Sequence, residues 1–196
     1  MRRTVTIWHL ELRDPLDFRP VTEPPAEVEV RQVEIASPEF NRYMYTAVGG
    51  EWWWIDRLSW TYQEWLDWLQ RPEVETWCLW VKGTPAGYFE LEAQGAGSVE
   101  IVYIGLLPQF VGQGLGGWLL TAATRRARQI GGARVWLHTC SLDHPGAVAN
   151  YKARGFQLFK EETVVQNVPA LPPGPWPGAE RPRPDEDEPG SGGEKR

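Results

Sequence analysis

Apolar residues recur along this chain at two different periods, and the switches between those periods outline its elements. Over Thr4–Leu12 the apolar positions Val5, Ile7, Leu10 and Leu12 fit a strand, expected at a sheet edge, and Asp14-Pro15 with Pro20–Pro25 then reads as a linker. A firmer strand covers Val28–Ile35, with Val28, Val30, Gln32 and Glu34 on one face and Glu29, Arg31, Val33 and Ile35 on the other. Ser37-Pro38-Glu39 starts a helix, Ser37 as its N-cap and Pro38 at the first helical position, and Gly49-Gly50 ends it. A second helix is predicted over Thr61–Leu69, carrying Trp65, Leu66, Trp68 and Leu69. Three strands follow, Thr76–Val81, Gly87–Glu92 and Val99–Leu106, with glycine-bearing turns between them. In the second of these Tyr88, Glu90 and Glu92 share one face and Phe89 and Leu91 the other. Helical spacing returns at Leu115, Leu119, Ala122, Ala123, Ala127 and Ile130, and Gly131-Gly132 stops it. A strand at Arg134–Cys140, a short helix near Ala147–Arg154 and a last strand over Phe156–Val165 complete the pattern.

This order of elements is an α+β arrangement with a main unit over residues 27–168, preceded by the segment 1–26. From residue 169 to 196 the chain is proline, glycine and charge with few apolar residues, which predicts a disordered tail; Trp176 is its one candidate for a contact.

Composition narrows the function. A net charge of −6 and the lack of any dense Lys/Arg cluster argue against nucleic acid as the main partner. No run of apolar residues is long enough to span a membrane, and Arg2-Arg3 is not followed by the apolar core of a signal peptide. Cys78 and Cys140 both fall in predicted strands, so a reduced, cytoplasmic protein is expected. His9, His138 and His144 have no metal-ligand spacing, and no metal is expected.

The chemistry concentrates in Glu100–Gly117, where an apolar strand passes through a glycine-rich loop into a helix. Such a loop suits an anion, because glycines let backbone N–H groups close on a phosphate and the helix N-terminus adds roughly half a positive charge. A P-loop is excluded, since Gly116 is followed by Gly117 and Trp118 instead of Lys and Ser or Thr. Gly112, Gly114 and Gly117 satisfy the dinucleotide fingerprint, but Leu107–Val111 separates the strand from the first glycine. The strand Arg134–Thr139 also ends without the acidic ribose ligand. A dinucleotide-dependent oxidoreductase is therefore disfavoured, and the chain after the loop is too short for a doubly wound sheet.

The run Gln109-Phe110-Val111-Gly112-Gln113-Gly114 resembles the Q/R-x-x-G-x-G/A motif of the GCN5-related N-acetyltransferase (GNAT) superfamily. Downstream, Ala147, Tyr151, Gly155 and Phe156 match that family's N-x-x-A-x-x-x-Y-x-x-x-G-F run, with His144 where the family more often has Asn. The resemblance covers roughly residues 27–168. It implies a mixed, mostly antiparallel sheet flanked by about four helices and splayed between two central strands, and acetyl-CoA as co-substrate. It places the coenzyme on the loop (Gln109, Phe110, Val111, Gly112, Gln113, Gly114, Leu115 and Gly116), on the backbone N–H groups of Leu106 and Leu107, and near His144. It implies Tyr151 as the acid that protonates the departing thiolate and Glu100 as the base.

A base is needed because an amine with pKa near 10.4 costs about 4–5 kcal/mol to deprotonate at neutral pH. Glu90 and Glu92, one strand over, are rival carboxylates, and His138 on the next strand is a candidate substrate contact. Of twelve tryptophans, six fall between Trp52 and Trp68, more than one helix face can bury. Trp52, Trp53 and Trp54 cannot all face inward in an irregular segment, and the resemblance implies that the stretch between the first two helices walls the acceptor site. With Asp56 and Arg57 they are expected to shape that pocket, which would suit a cationic or aromatic amine. The expected acceptor is a small-molecule or peptide amine, and a homodimer is compatible with the chain. The expected activity is direct acetyl transfer within a ternary complex, because neither cysteine lies in a nucleophile motif. The alternative is a GNAT-fold module that binds acyl-CoA as a sensor without turnover.

Overall fold

The computed structural model of the protein describes residues 1–24 and 27–179. These residues form one seven-stranded sheet with four α-helices. The strands are β1 (Arg2–Leu12), β2 (Val28–Gln32), β3 (Val74–Val81), β4 (Thr84–Ala93), β5 (Ser98–Leu106), β6 (Arg134–Cys140) and β7 (Gln157–Asn167). The helices are α1 (Pro38–Gly49), α2 (Tyr62–Leu69), α3 (Leu115–Gln129) and α4 (Ala147–Ala153). The expected α+β class holds. The sheet runs β2-β3-β4-β5-β6-β1-β7, antiparallel throughout except at the β5–β6 junction.

Local chemistry accounts for the helix boundaries. Ser37 caps α1 by accepting from the Phe40 N–H at 3.3 Å, and Thr61 and Glu64 form a capping box on α2. The two helices pack on one sheet face, where Met44 and Val48 meet Cys78, Tyr88 and Leu107. On the other face α3 and α4 bury Leu115, Leu119, Leu120, Ala123 and Tyr151 against Leu79, Phe89, Leu91, Val99, Ile101, Val135 and Leu137. The middle of β4 is therefore covered on both faces, and Tyr88, Phe89, Glu90 and Leu91 are all buried.

The first strand corrects the sequence reading. Thr4–Leu12 was expected at an edge, but β1 lies inside the sheet, pairing with β6 from Ile7↔Cys140 to Leu12↔Val135 and with β7 from Arg2↔Asn167 to Glu11↔Gln157. The pattern is consistent with this in hindsight, because Val5, Leu10 and Leu12 are essentially fully buried. No local signal distinguishes a strand paired on one side from one paired on both when its partners lie more than a hundred residues away in sequence. The Met1 ammonium donates to the Val168 carbonyl, closing the β1–β7 ladder.

The segment after β7 also departs from expectation. Pro169 O accepts from Trp53 Nε1 at 3.2 Å, and the Gly174 N–H donates to Gly50 O at 3.1 Å. A Cβ on Gly50 would lie 2.5 Å from the Gly174 carbonyl carbon, so the absence of a side chain allows the contact. The rest of the predicted tail, residues 180–196, lies outside the described residues.

The interior position of β1 makes its buried face costly to alter. Leu10→Ala, at a site with no solvent exposure, is expected to lower unfolding free energy by about 2–5 kcal/mol. Leu16→Ala, at a 91% exposed site just beyond β1, should change it by less than about 0.5 kcal/mol. Urea denaturation measures both, and equal effects would contradict the placement of β1.

Candidate active site

The site arises where β5 and β6 part. They pair in parallel only at Ser98↔Arg134, Val99↔Val135 and Glu100↔Trp136; beyond that β5 continues to Leu106 and β6 to Cys140 without pairing to each other. A bulge accompanies the parting. Glu90 faces Tyr103 and Leu91 faces Ile101, leaving Val102 as an extra residue that bends β5. The gap opens into a cavity of about 430 Å³, within the usual range for ligand sites.

Ladder geometry decides which backbone groups reach the gap. The Leu107 N–H donates to Ala86 O at 2.9 Å, so it is spent on β4 and corrects the expectation that it would serve the site. Antiparallel alternation then turns Leu106, opposite Gly87, and Ile104, opposite Phe89, away from β4 toward the gap. Both line the cavity.

The glycine-rich loop borders the same cavity through Val111, Gly112, Gly114 and Gly116. Gly112 and Gly114 take φ of 82° and 77°, a left-handed turn that lets α3 begin without a side-chain cap and leaves its first N–H groups facing the loop. Other residues expected in this group do not line the cavity. Leu115 is buried under α3, Phe110 packs on the core, and Gln113 spends its amide on Gln109 O at 2.7 Å. Four residues that the sequence reading did not place at the coenzyme also line the cavity: Gly117, Gly146, Ala147 and Asn150. Asn150 Nδ2 donates to Gly116 O at 3.3 Å and ties the two sequence motifs together. Its signal was its place beside Tyr151 in the second motif. His144 lines the cavity, its Nδ1 accepting from the Gly146 N–H at 3.0 Å and its ring 5.1 Å from that of Trp52.

Tyr151 lines the cavity from α4, and burial, with Asp143 adding to it, pushes its hydroxyl pKa well above the ordinary value. Glu100 behaves differently from expectation. It is buried at the last paired position before the gap, outside the cavity lining, with Oε2 accepting from Gln94 Nε2 at 2.7 Å. Its Oε1 lies 3.2 Å from His138 Nδ1, and His138 is the one that lines the cavity. That hydrogen bond holds the His138 pKa above its ordinary value, against the opposing effect of burial and with Asp143 and Asp56 contributing.

Trp52, Trp53, Trp54 and Asp56, expected around the acceptor, line the cavity together with Ile55, Tyr103, Cys140, Leu142, Asp143, Ile7 and Gln166. Ile7 and Gln166 reach it only because β1 lies beside β6, which no local pattern reveals. Trp53 sits at φ 54° and reverses the chain, sending the neighbouring rings different ways. Trp54 packs over Gly49, where a Cβ would lie 2.1 Å from its ring, and its Nε1 donates to Asp143 Oδ1 at 3.0 Å.

Arg57, Glu90 and Glu92 do not line the cavity. The Arg57 guanidinium makes two contacts with Glu90, at 2.9 and 3.1 Å, and lies 4.5 Å from the Trp60 and Trp68 ring centres and 4.6 Å from that of Tyr103. Trp68 Nε1 adds a 2.9 Å bond to Glu90, which burial nevertheless holds at a raised pKa. The pair anchors the loop that carries Trp52–Asp56. Glu92 pairs with Arg71 at 2.7 Å away from the gap. Among the described residues no cluster of His, Cys, Asp or Glu could hold a metal ion, and no helix is long and apolar enough to cross a membrane.

Comparison with known proteins agrees with this geometry. The model of the acetyltransferase (GNAT) family matches residues 34–156. Among solved structures, the chain is similar to a GCN5-related N-acetyltransferase from Sphaerobacter thermophilus (TM-score 0.61, 18% identity, 88% of this chain and 54% of that one). It is also similar to one from Kribbella flavida (0.57, 23%, 80% and 56%). The ribosomal-protein-S18-alanine N-acetyltransferase from Escherichia coli is a third (0.52, 18%, 67% and 78%). The chain thus spans little more than half the length of the first two. No curated protein sequence matches it.

Fully buried and partly exposed carboxylates should respond differently to removal. Glu90→Ala strands Arg57 without a counter-ion and is expected to cost about 3–5 kcal/mol in urea denaturation. Glu92→Ala should cost less than about 1 kcal/mol.

Proposed function

Because the chain belongs to the acetyltransferase (GNAT) family, we propose that it moves an acetyl group from acetyl-CoA to a primary amine by direct transfer in a ternary complex. One observation carries this reading: the β5–β6 gap, the glycine-rich loop and the tryptophan wall open into a single cavity, so a coenzyme end and an acceptor end meet beside Leu106, His138 and Tyr151.

Acetyl-CoA supplies the activated thioester, and the chain's own groups fit it. The N–H groups around Gly112, Gly114 and the α3 N-terminus suit the pyrophosphate, and the gap between the strands suits an extended pantetheine arm. The Leu106 N–H is placed as a donor for a carbonyl oxygen that gains negative charge.

The acceptor amine arrives protonated. His138, oriented through Nδ1 by Glu100, retains Nε2 as its proton-accepting atom, so His138 is the base and Glu100 the positioning residue. Tyr151 keeps its proton at neutral pH and can give it to the leaving thiolate. Burial holds the Cys140 thiol at about 11 and the Cys78 thiol at about 12, so neither furnishes a thiolate nucleophile, which supports direct transfer.

Calorimetric titration with acetyl-CoA followed by thiol release against a panel of amines tests the proposal. Saturable binding with amine-dependent release is expected, and the absence of binding would overturn the reading. Gly114→Glu, which sets a carboxylate among the phosphate-facing N–H groups, is expected to abolish coenzyme binding; unchanged affinity would refute the loop assignment.

The pH profile tests the base. His138 works only when neutral, so kcat/KM should rise with pH through the raised His138 pKa. Glu100→Gln removes the charge that raises it, so the rising limb should move to lower pH. A limb that stays in place would assign it to another group.

A further inference from the structure

The cavity's charge is one-sided. Its lining, among the described residues, includes Asp56 and Asp143 but no lysine or arginine, and the Glu100 carboxylate stands directly behind His138. The buried cation Arg57 is already neutralised by Glu90 and does not line the cavity.

The two lining carboxylates are not equivalent. Asp143 is committed to three donors: Thr139 Oγ1 at 2.6 Å, the Cys140 N–H at 3.0 Å and Trp54 Nε1 at 3.0 Å. Asp56 is exposed and makes no hydrogen bond or ion pair with any described residue. It follows directly after Trp52, Trp53, Trp54 and Ile55, in the loop anchored by the Arg57–Glu90 pair. Its charge nevertheless acts on Tyr103, His138 and Cys140, which line the cavity from β5 and β6.

An uncommitted carboxylate beside aromatic rings favours a cation through both charge and ring faces. Arg3 already occupies one such face on Trp53, 4.7 Å from the ring centre and outside the lining. A carboxylate on the acceptor would instead meet negative groups with no lysine or arginine in the lining to pair with, and would lose its hydration on entry.

We propose that the acceptor is an aliphatic diamine or polyamine, whose reacting nitrogen sits by His138 while a second ammonium pairs with Asp56 beside the Trp52–Trp54 wall, and that amines bearing a carboxylate are refused. This deepens the acetyl-transfer reading and takes its catalytic end from it.

Three probes of matched length separate the charges: cadaverine with a remote ammonium, pentylamine with none, and ε-aminocaproate with a remote carboxylate. Each is titrated into the full chain in the presence of coenzyme A, with quenching of tryptophan emission as the readout, and each is then tried as an acceptor by thiol release. Cadaverine is expected to bind about tenfold more tightly than pentylamine, as one charge-assisted contact allows, with ε-aminocaproate weakest. Asp56→Asn should collapse the cadaverine-to-pentylamine ratio toward one, and Asp56→Glu should retain it. The proposal is overturned if ε-aminocaproate binds or reacts as well as cadaverine, or if the ratio survives Asp56→Asn. The expected binding order without thiol release from cadaverine would leave the charge preference standing and remove the transfer reading. Thiol release from ε-aminocaproate at the rate of cadaverine would do the reverse.

Discussion

Backbone hydrogen bonding is close to obligatory inside a sheet, and this protein breaks the rule at its centre. β5 and β6 stop pairing at Glu100 and Trp136, although both strands continue. The groups freed there must be satisfied by water or by a ligand, so the centre of the sheet is completed from outside it. The rest of the structure can be understood as support for it. The Val102 bulge bends one wall, β1 holds the other in place by pairing along all of β6 from Val135 to Cys140, and α3 begins where the gap ends.

Holding the acceptor wall is a separate problem, solved by burying charge. The loop after α1 has little regular structure and carries three consecutive tryptophans, so local hydrogen bonds cannot fix it. Arg57 fixes it by reaching under Tyr103 to Glu90 in the middle of β4, between the rings of Trp60 and Trp68. A buried ion pair is a weak source of stability, since desolvation offsets most of the attraction. It is a strong source of registration, because its geometry is satisfied in one place only. The concentration of tryptophans between Trp52 and Trp68 follows from this division of labour. One group cases the guanidinium and the other faces the cavity.

Much of this was legible in the sequence, for identifiable reasons. Helix and strand positions follow from period and punctuation, and the glycine-rich loop followed by a helix announces itself through Gly112, Gly114 and the following apolar stripe. Pairings that depend on distance in the chain were not legible. Nothing near Glu90 says that it meets Arg57, so it looked like a free carboxylate. Nothing near Glu100 says that His138 stands between it and the cavity, so the carboxylate expected to face the substrate instead meets a histidine that does. Leu107 was misread for a finer reason, since strand alternation decides which of two neighbouring N–H groups faces the gap, and that parity is set by the partner strand. Ile7 and Gln166 could not be found at all without knowing where β1 goes.

The position of β1 also has a bearing on how the chain is made. Arg2 pairs with Asn167, so β1 emerges from the ribosome well before either of the strands it pairs with. At about 5–20 residues per second β6 follows β1 by roughly six to twenty-five seconds, and until then both edges of β1 are unpaired. Through that interval Val5, Leu10 and Leu12 offer an apolar strand to any passing edge. The gap is thereby assembled late: the wall that carries His138 is braced by a strand made more than a hundred residues before it.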